Sequence, residues 1–211
     1  MINTIKVELD NYLEFDSSKL FNSTDFIVVF GGALRDIIAS DSGNIKDIDI
    51  MCLPKSRDIA SRILLSNGYK NLDLFSSNLF CLYKDIKCIF EPKTFVKGSK
   101  IVQLITPAVY GINDFNRGRV DISHRLQENF FNILKNVDLS SSGVVYNGRT
   151  LYETIKGTIG LIKNKKYFHI PNALMYNEDR IIMRDYNLIH KGWEKIKLED
   201  NILFERMIKI L

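Results

Sequence analysis

Apolar residues at Ile5, Leu9, Tyr12 and Leu13 recur at helical spacing, so the chain opens on a predicted helix over residues 5–15, with a polar stretch at Asp16, Ser17 and Ser18 behind it. The period then changes. Phe26-Ile27-Val28-Val29-Phe30 is an unbroken apolar run rich in β-branched residues, the pattern of a buried strand, and Gly31-Gly32 ends it. A helix over 33–39 is expected next, then a loop over 40–46 carrying the turn residues Asp41, Ser42, Gly43 and Asn44. Residues 47–53 read as a second strand stopped by Pro54, and residues 56–66 as a helix closed by Asn67-Gly68.

Further strands are predicted over 79–83, 86–90 and 100–105, where Pro107 and Gly111 break the pattern, so the sheet is expected to be complete near residue 106. From Phe115 the spacing turns helical, with Ile122, Leu126, Phe130, Phe131 and Leu134 on one face. Asn147-Gly148, between Val144-Val145-Tyr146 and residues 149–152, is the preferred pair for a tight hairpin turn. Helices are predicted around 153–163, 177–190 and 201–210, with Trp193 after Lys191-Gly192 as a packing anchor where a helix ends. The expected class is α+β: a mixed sheet flanked by helices over 1–106, then a mainly helical lobe over 107–211.

Composition narrows the setting more than the chemistry. The 211 residues, 45% hydrophobic and 26% charged, suffice for one core and a small second lobe. A net charge of +4 and a pI near 8.8 suit an anionic substrate without requiring nucleic acid. Cys52, Cys81 and Cys88 are odd in number and lack a C-x-x-C spacing, which argues against a disulfide framework or zinc site and for reduced core residues. The opening Met-Ile-Asn-Thr-Ile-Lys lacks the basic start and apolar core of a signal peptide, and no apolar run reaches the roughly 18 residues of a membrane span. A cytoplasmic protein without a membrane partner is expected.

The informative stretch is Phe30-Gly-Gly-Ala-Leu-Arg-Asp36 followed by Lys46-Asp-Ile-Asp-Ile50. Two carboxylates one residue apart on a strand point to the same face, with Cα atoms roughly 6–7 Å apart, so Asp47 and Asp49 reach a common point. Such a pair is either a solvated strand edge or a seat for a hard cation; magnesium takes one or two carboxylates and completes its shell with water and phosphate oxygens. Gly31-Gly32, between strand and helix, is either a tight turn or a phosphate cradle whose missing Cβ atoms allow close approach. It is neither a Walker loop nor G-x-G-x-x-G. Arg35 and Asp36 are either a surface pair or a phosphate-holding arginine with its carboxylate neighbour.

Together these residues resemble the signature of the DNA polymerase β-like nucleotidyltransferase superfamily, specifically the head of bacterial-type CCA-adding enzymes and poly(A) polymerases. The family pattern Gly-Gly-x-Val-Arg-Asp, loop, Lys-Asp-Ile-Asp is matched by Gly-Gly-Ala-Leu-Arg-Asp and Lys-Asp-Ile-Asp. The resemblance implies that Gly31 and Gly32 contact the triphosphate of an NTP, that Asp47 and Asp49 bind catalytic Mg2+ or Mn2+, and that Arg35 and Asp36 shape the pocket. A weaker similarity covers residues 136–192. It places Asp138 near the nucleotide ribose, although the two arginines that precede it in the family are missing, and it turns Arg180 and Arg184 of Glu178-Asp-Arg-Ile-Ile-Met-Arg184 toward the nucleotide.

The family recruits a third carboxylate from a later strand; here that position aligns with Gln103 or, in another alignment, with Glu91 beside Pro92. The chain ends at Leu211, so no base-templating helix or tRNA-gripping body is expected within it. The expected function is transfer of a nucleoside monophosphate from an NTP to an acceptor hydroxyl, with RNA or a tRNA 3′ end as the leading acceptor and protein or small molecules as others. The second reading is a degenerate module of the same fold that binds nucleotide, RNA or a protein partner without turnover. Lys84, Lys87, Lys93, Lys97 and Lys100, interleaved with Tyr83, Phe90 and Phe95, either line an RNA backbone or are solvated strand faces. His124, His169 and His190 share no ligand spacing.

Overall fold

A computed structural model describes residues 1–22, 26–72, 79–83, 86–111, 139–170, 178–197 and 206–209. Helix α1 (Ile2–Leu13) buries Ile5, Leu9 and Leu13, and Glu14 ends it in the left-handed region. A short helix, α2 (Ser18–Asn22), leads to β1 (Ile27–Phe30), α3 (Gly32–Ile38), β2 (Asp47–Cys52) and α4 (Pro54–Ser66). Then come β3 (Lys70–Leu72), β4 (Leu79–Tyr83), β5 (Ile86–Lys97) and β6 (Lys100–Gly111). The later part holds β7 (Val144–Tyr146), β8 (Leu151–Ile155), α5 (Thr158–Lys163), β9 (Lys166–Tyr167), α6 (Glu178–His190), β10 (Glu194–Lys195) and β11 (Arg206–Lys209).

Among the described residues nine strands form one mixed sheet in the order β11-β8-β7-β1-β2-β6-β5-β3, with β4 also paired to β5. Every pairing in it is antiparallel except β2 with β6. A parallel neighbour needs a crossover, and the connection from β2 through α4 supplies it. Period-two alternation decides what each face carries. Ile27, Val29, Ile48, Ile50, Val102, Leu104 and Phe95 enter one core with α1, α3 and α4, and Ile48, Ile50, Val102, Leu104 and Phe95 lose all exposure. Asp47, Asp49 and Gln103 take the alternate positions and stay half-buried.

The strands do not end near residue 106. β7 pairs with the free side of β1, and β8 and β11 follow it outward, so the later segment extends the same sheet and mixes strands with helices. Neither Pro92 nor Pro107 interrupts its strand. β3 pairs residues 94–96 of β5 and β4 pairs 86–90, which leaves Pro92 in the gap between them; β2 pairs β6 only up to Ile105, which leaves Pro107 beyond it. Among the described residues both prolines therefore sit where their strand is locally an edge, the place a residue without an N–H is tolerated.

Asn147-Gly148 belongs to a four-residue loop, because Tyr146 pairs with Leu151. There the Asn147 side chain accepts the N–H groups of Arg149 (3.0 Å) and Thr150 (2.7 Å). The helix predicted from residue 153 starts only at Thr158, since Glu153 is still in β8; its buried carboxylate accepts the N–H groups of Gly157 (2.9 Å) and Ile159 (2.6 Å) at the start of α5. Residues 206–209, predicted helical, are β11, drawn into the sheet by β8. The helical face proposed from Phe115 onward lies outside the described residues. Cys52 is buried and reduced, with its thiol pushed up to about 11 by burial. No helix among the described residues is long and apolar enough to cross a membrane.

Candidate active site

Asp49 is flanked by Phe30 of β1 and Gln103 of β6. Residues opposite each other in paired strands share a face, so the Asp47–Asp49 face receives the end of β1 from one side and Gln103 from the other. The chain turns immediately after Phe30. Gly31 holds φ +78°, a conformation that suits glycine, and the point a Cβ would occupy there is 3.7 Å from Asp49 Oδ2. The turn is thus packed onto the carboxylate. Its backbone is fixed from both directions, the Gly31 N–H donating to the Val144 carbonyl (3.4 Å) and the Arg35 N–H donating to the Gly31 carbonyl (3.2 Å).

Arg35 folds back over the turn. Its Nη2 is 3.5 Å from the point a Cβ would occupy at Gly32, and its Nε donates to Asp36 Oδ1 at 2.7 Å. Asp36 is 3% exposed, so the pair is no surface feature, and its second oxygen accepts Lys191 Nζ at 3.1 Å. Trp193 closes the group: its ring centroid is 5.7 Å from Arg35 Cζ, and its backbone N–H returns to the Leu188 carbonyl beyond Gly192, which holds φ +77°. Trp193 is the helix-end anchor the sequence suggests. Lys191 was not legible as a partner of Asp36, because 155 residues separate them.

Tyr12 is another residue that sequence reasoning passes over, since its spacing marks it only as part of an apolar helix face. Its hydroxyl donates to the Lys46 carbonyl (2.9 Å) and accepts the Ile101 N–H (3.0 Å), bridging β2 and β6 at the rung where Asp47 faces Ile101. Burial raises the phenol's pKa, and the charge of Asp47 raises it further.

The other candidates are spread more widely. Glu91 lies in β5 opposite Thr106, in the alternation of Val102 and Leu104 rather than that of Gln103. Asp138 lies outside the described residues, as do Lys84 and His124. Arg180 and Arg184 both fall in α6, and Arg184 is half-buried. On the same helix Asp185 takes His169 Nε2 (2.6 Å) and Lys195 Nζ (2.7 Å); burial pushes its carboxyl up, but the hydrogen bonds from Lys195 and His169 outweigh it and hold the group low. The His190 ring lies against Tyr186, tilted by 36° with ring centroids 3.9 Å apart. Lys97 and Lys100 both pair with Glu14, and their ammonium groups stand over the rings of Tyr69 and Tyr12.

Among the described residues no three His, Cys, Asp or Glu side chains converge as a complete metal site. Asp47 and Asp49, half-buried on one face beside the Gly31 turn, fit a magnesium or manganese ion that draws its remaining oxygens from a phosphate and water. Gln103, in the register position beside Asp49, contributes a neutral amide.

No family model and no curated protein sequence matches the chain. Solved structures do. A CCA-adding enzyme in complex with CTP superposes with a TM-score of 0.56 at 13% identity over 94% of this chain and 44% of its own. A complex of CCA-adding enzyme with ATP gives 0.52 at 14% identity over 91% and 40%, and the Thermotoga maritima enzyme complexed with tRNA gives 0.54 at 13% over 94% and 43%. The chain spans less than half the length of these proteins. At this identity the likeness establishes the fold: a mixed sheet flanked by helices, as in the nucleotidyltransferase fold of CCA-adding enzymes.

Proposed function

We propose that the chain is a metal-dependent nucleotidyltransferase that moves a nucleoside monophosphate from an NTP to an acceptor hydroxyl. The observation that carries this reading is the packing of the Gly31 turn against Asp49, within a fold otherwise seen in enzymes complexed with CTP, ATP and tRNA. Asp47 and Asp49 hold the ion, Gly31 and Gly32 let the triphosphate approach the backbone, and Arg35 meets its charge from the far side of the turn. Arg180 and Arg184 serve the nucleotide from α6, and Asp138 its ribose. An ion held by Asp47 and Asp49 would lower the pKa of the attacking hydroxyl and offset charge on the departing pyrophosphate. The acceptor hydroxyl gives up its proton to solvent as its oxygen bonds to the α-phosphorus, the bond from that phosphorus to the α–β bridging oxygen breaks, and pyrophosphate leaves with the electron pair. RNA or a tRNA 3′ end is the acceptor class favoured by the neighbouring structures and by the chain's net positive charge.

The test is incubation with each α-labelled NTP, magnesium or manganese and total tRNA, beside an Asp47→Ala/Asp49→Ala control. Label entering RNA or protein only with intact carboxylates supports the reading and identifies the acceptor class. A second reading, binding without turnover, is favoured by one observation: the neutral Gln103 beside Asp49. Absence of transfer with any NTP from a folded protein that still binds nucleotide selects it.

A further inference from the structure

Asp36 is one anion between two cations. Its carboxylate is buried, and a buried carboxylate must be paired; either Arg35 or Lys191 alone would suffice to balance it. With both present, the trio keeps one net positive charge. That charge is not dispersed into solvent, because the Arg35 and Lys191 side chains are only 14% and 21% exposed. It is carried toward the Gly31–Gly32 turn, where Arg35 Nη2 lies, with the Asp49 carboxylate on the turn's other flank. Lys191 comes from just beyond α6, the helix that carries Arg180 and Arg184, so it joins that helix to the turn through a single carboxylate.

From this arrangement we infer that Lys191 is an electrostatic positioning residue of the phosphate site: by neutralising Asp36 it leaves the charge of Arg35 available to a triphosphate at the Gly31–Gly32 turn. This rests on the nucleotidyltransferase reading above. Lys191 need not touch the nucleotide. Its part is to set the net charge of the trio, and the inference therefore counts charges in a way that a packing role does not.

The probe is a non-hydrolysable α,β-methylene NTP with magnesium, measured by calorimetry on the full chain, with thermal melting as the check on folding. Lys191→Met makes the trio neutral, and the analogue is expected to bind roughly tenfold more weakly, the order expected when one unit charge is lost near a polyanion at a partly buried site. Lys191→Arg restores the charge and most of the affinity. The double variant Asp36→Asn/Lys191→Met again leaves one positive charge, on Arg35, and is expected to bind several-fold more tightly than Lys191→Met alone. That double variant also keeps the test open if Lys191→Met does not fold, since its affinity is then compared with that of the unaltered chain. Equal affinity of Lys191→Met and the unaltered chain, or a double variant no better than the single, overturns the inference while leaving the nucleotidyltransferase reading standing. An unaltered chain that binds neither the analogue nor pyrophosphate overturns both.

Discussion

Gln103 stands directly beside Asp49 in the parallel pairing of β2 with β6, on the face the two aspartates share. A carboxamide there can accept a hydrogen bond or offer a weak oxygen ligand, but it carries no charge and cannot take a proton from an attacking hydroxyl. Gln103→Asp is therefore expected to raise magnesium-dependent nucleotidyl transfer, on the order of a hundredfold in kcat, the lower end of what a positioned proton acceptor contributes. Single-turnover kinetics with saturating NTP reads this directly. A fall in kcat with unchanged nucleotide affinity would mean that the amide itself is the group the site uses.

The constellation around Asp49 was legible because it is local: a strand, a glycine turn and a D-x-D strand follow one another between Ile27 and Cys52, and alternation alone puts Asp47 and Asp49 opposite Ile48 and Ile50. What pattern could not supply was long-range pairing. Nothing near Asp36 in sequence announces Lys191, and nothing in the helical spacing of Tyr12 announces a hydroxyl between β2 and β6. Pro107 misled for the same reason, since whether a proline breaks a strand depends on which neighbours that strand has at that point. Residues 206–209 carry a helix-compatible pattern yet join the sheet through β8, a case of tertiary pairing overriding local preference.

Two aspartates on one strand face repel each other when no cation lies between them, so the metal-free protein gives up some stability to keep them. Asp47→Asn is expected to raise the melting temperature slightly in chelator, by about 0.5 kcal/mol in stability. Adding magnesium and NTP should then stabilise the unaltered protein, and not the variant, as expected for a ligand that binds only the folded form. Scanning fluorimetry with and without metal checks both halves. Equal nucleotide stabilisation of the two proteins would place the phosphate without the metal.

Removing the Tyr12 hydroxyl leaves the Lys46 carbonyl and Ile101 N–H without their bridge at the first rung of the β2–β6 pairing. Tyr12→Phe is expected to cost about 1 kcal/mol in urea unfolding, the usual value of a hydrogen bond at a partly buried position. Because Asp47 sits at that rung, kcat for transfer should fall further than the stability loss explains, with the KM for NTP nearly unchanged. Loss of stability alone would limit Tyr12 to holding α1 on the sheet.

Glu14, just past the end of α1, supports the same corner from the surface. Hydrogen bonds from Lys100 and then Lys97 lower its carboxyl from an ordinary value of 4.5 to about 2 in the folded chain. A depressed carboxylate contributes stability that is present above its unfolded pKa and lost as pH falls through its folded pKa. The gap in melting temperature between the unaltered protein and Glu14→Gln should therefore be full at pH 6, narrow below about 4.5 and close near pH 2. Asp16 is held low by Lys6 and titrates alike in both proteins, so the difference isolates Glu14. Glu14 is exposed, so 0.5 M salt should shrink the gap at pH 6 as well. A gap independent of pH would assign the effect of Glu14→Gln to the left-handed backbone at residue 14 instead of to its charge.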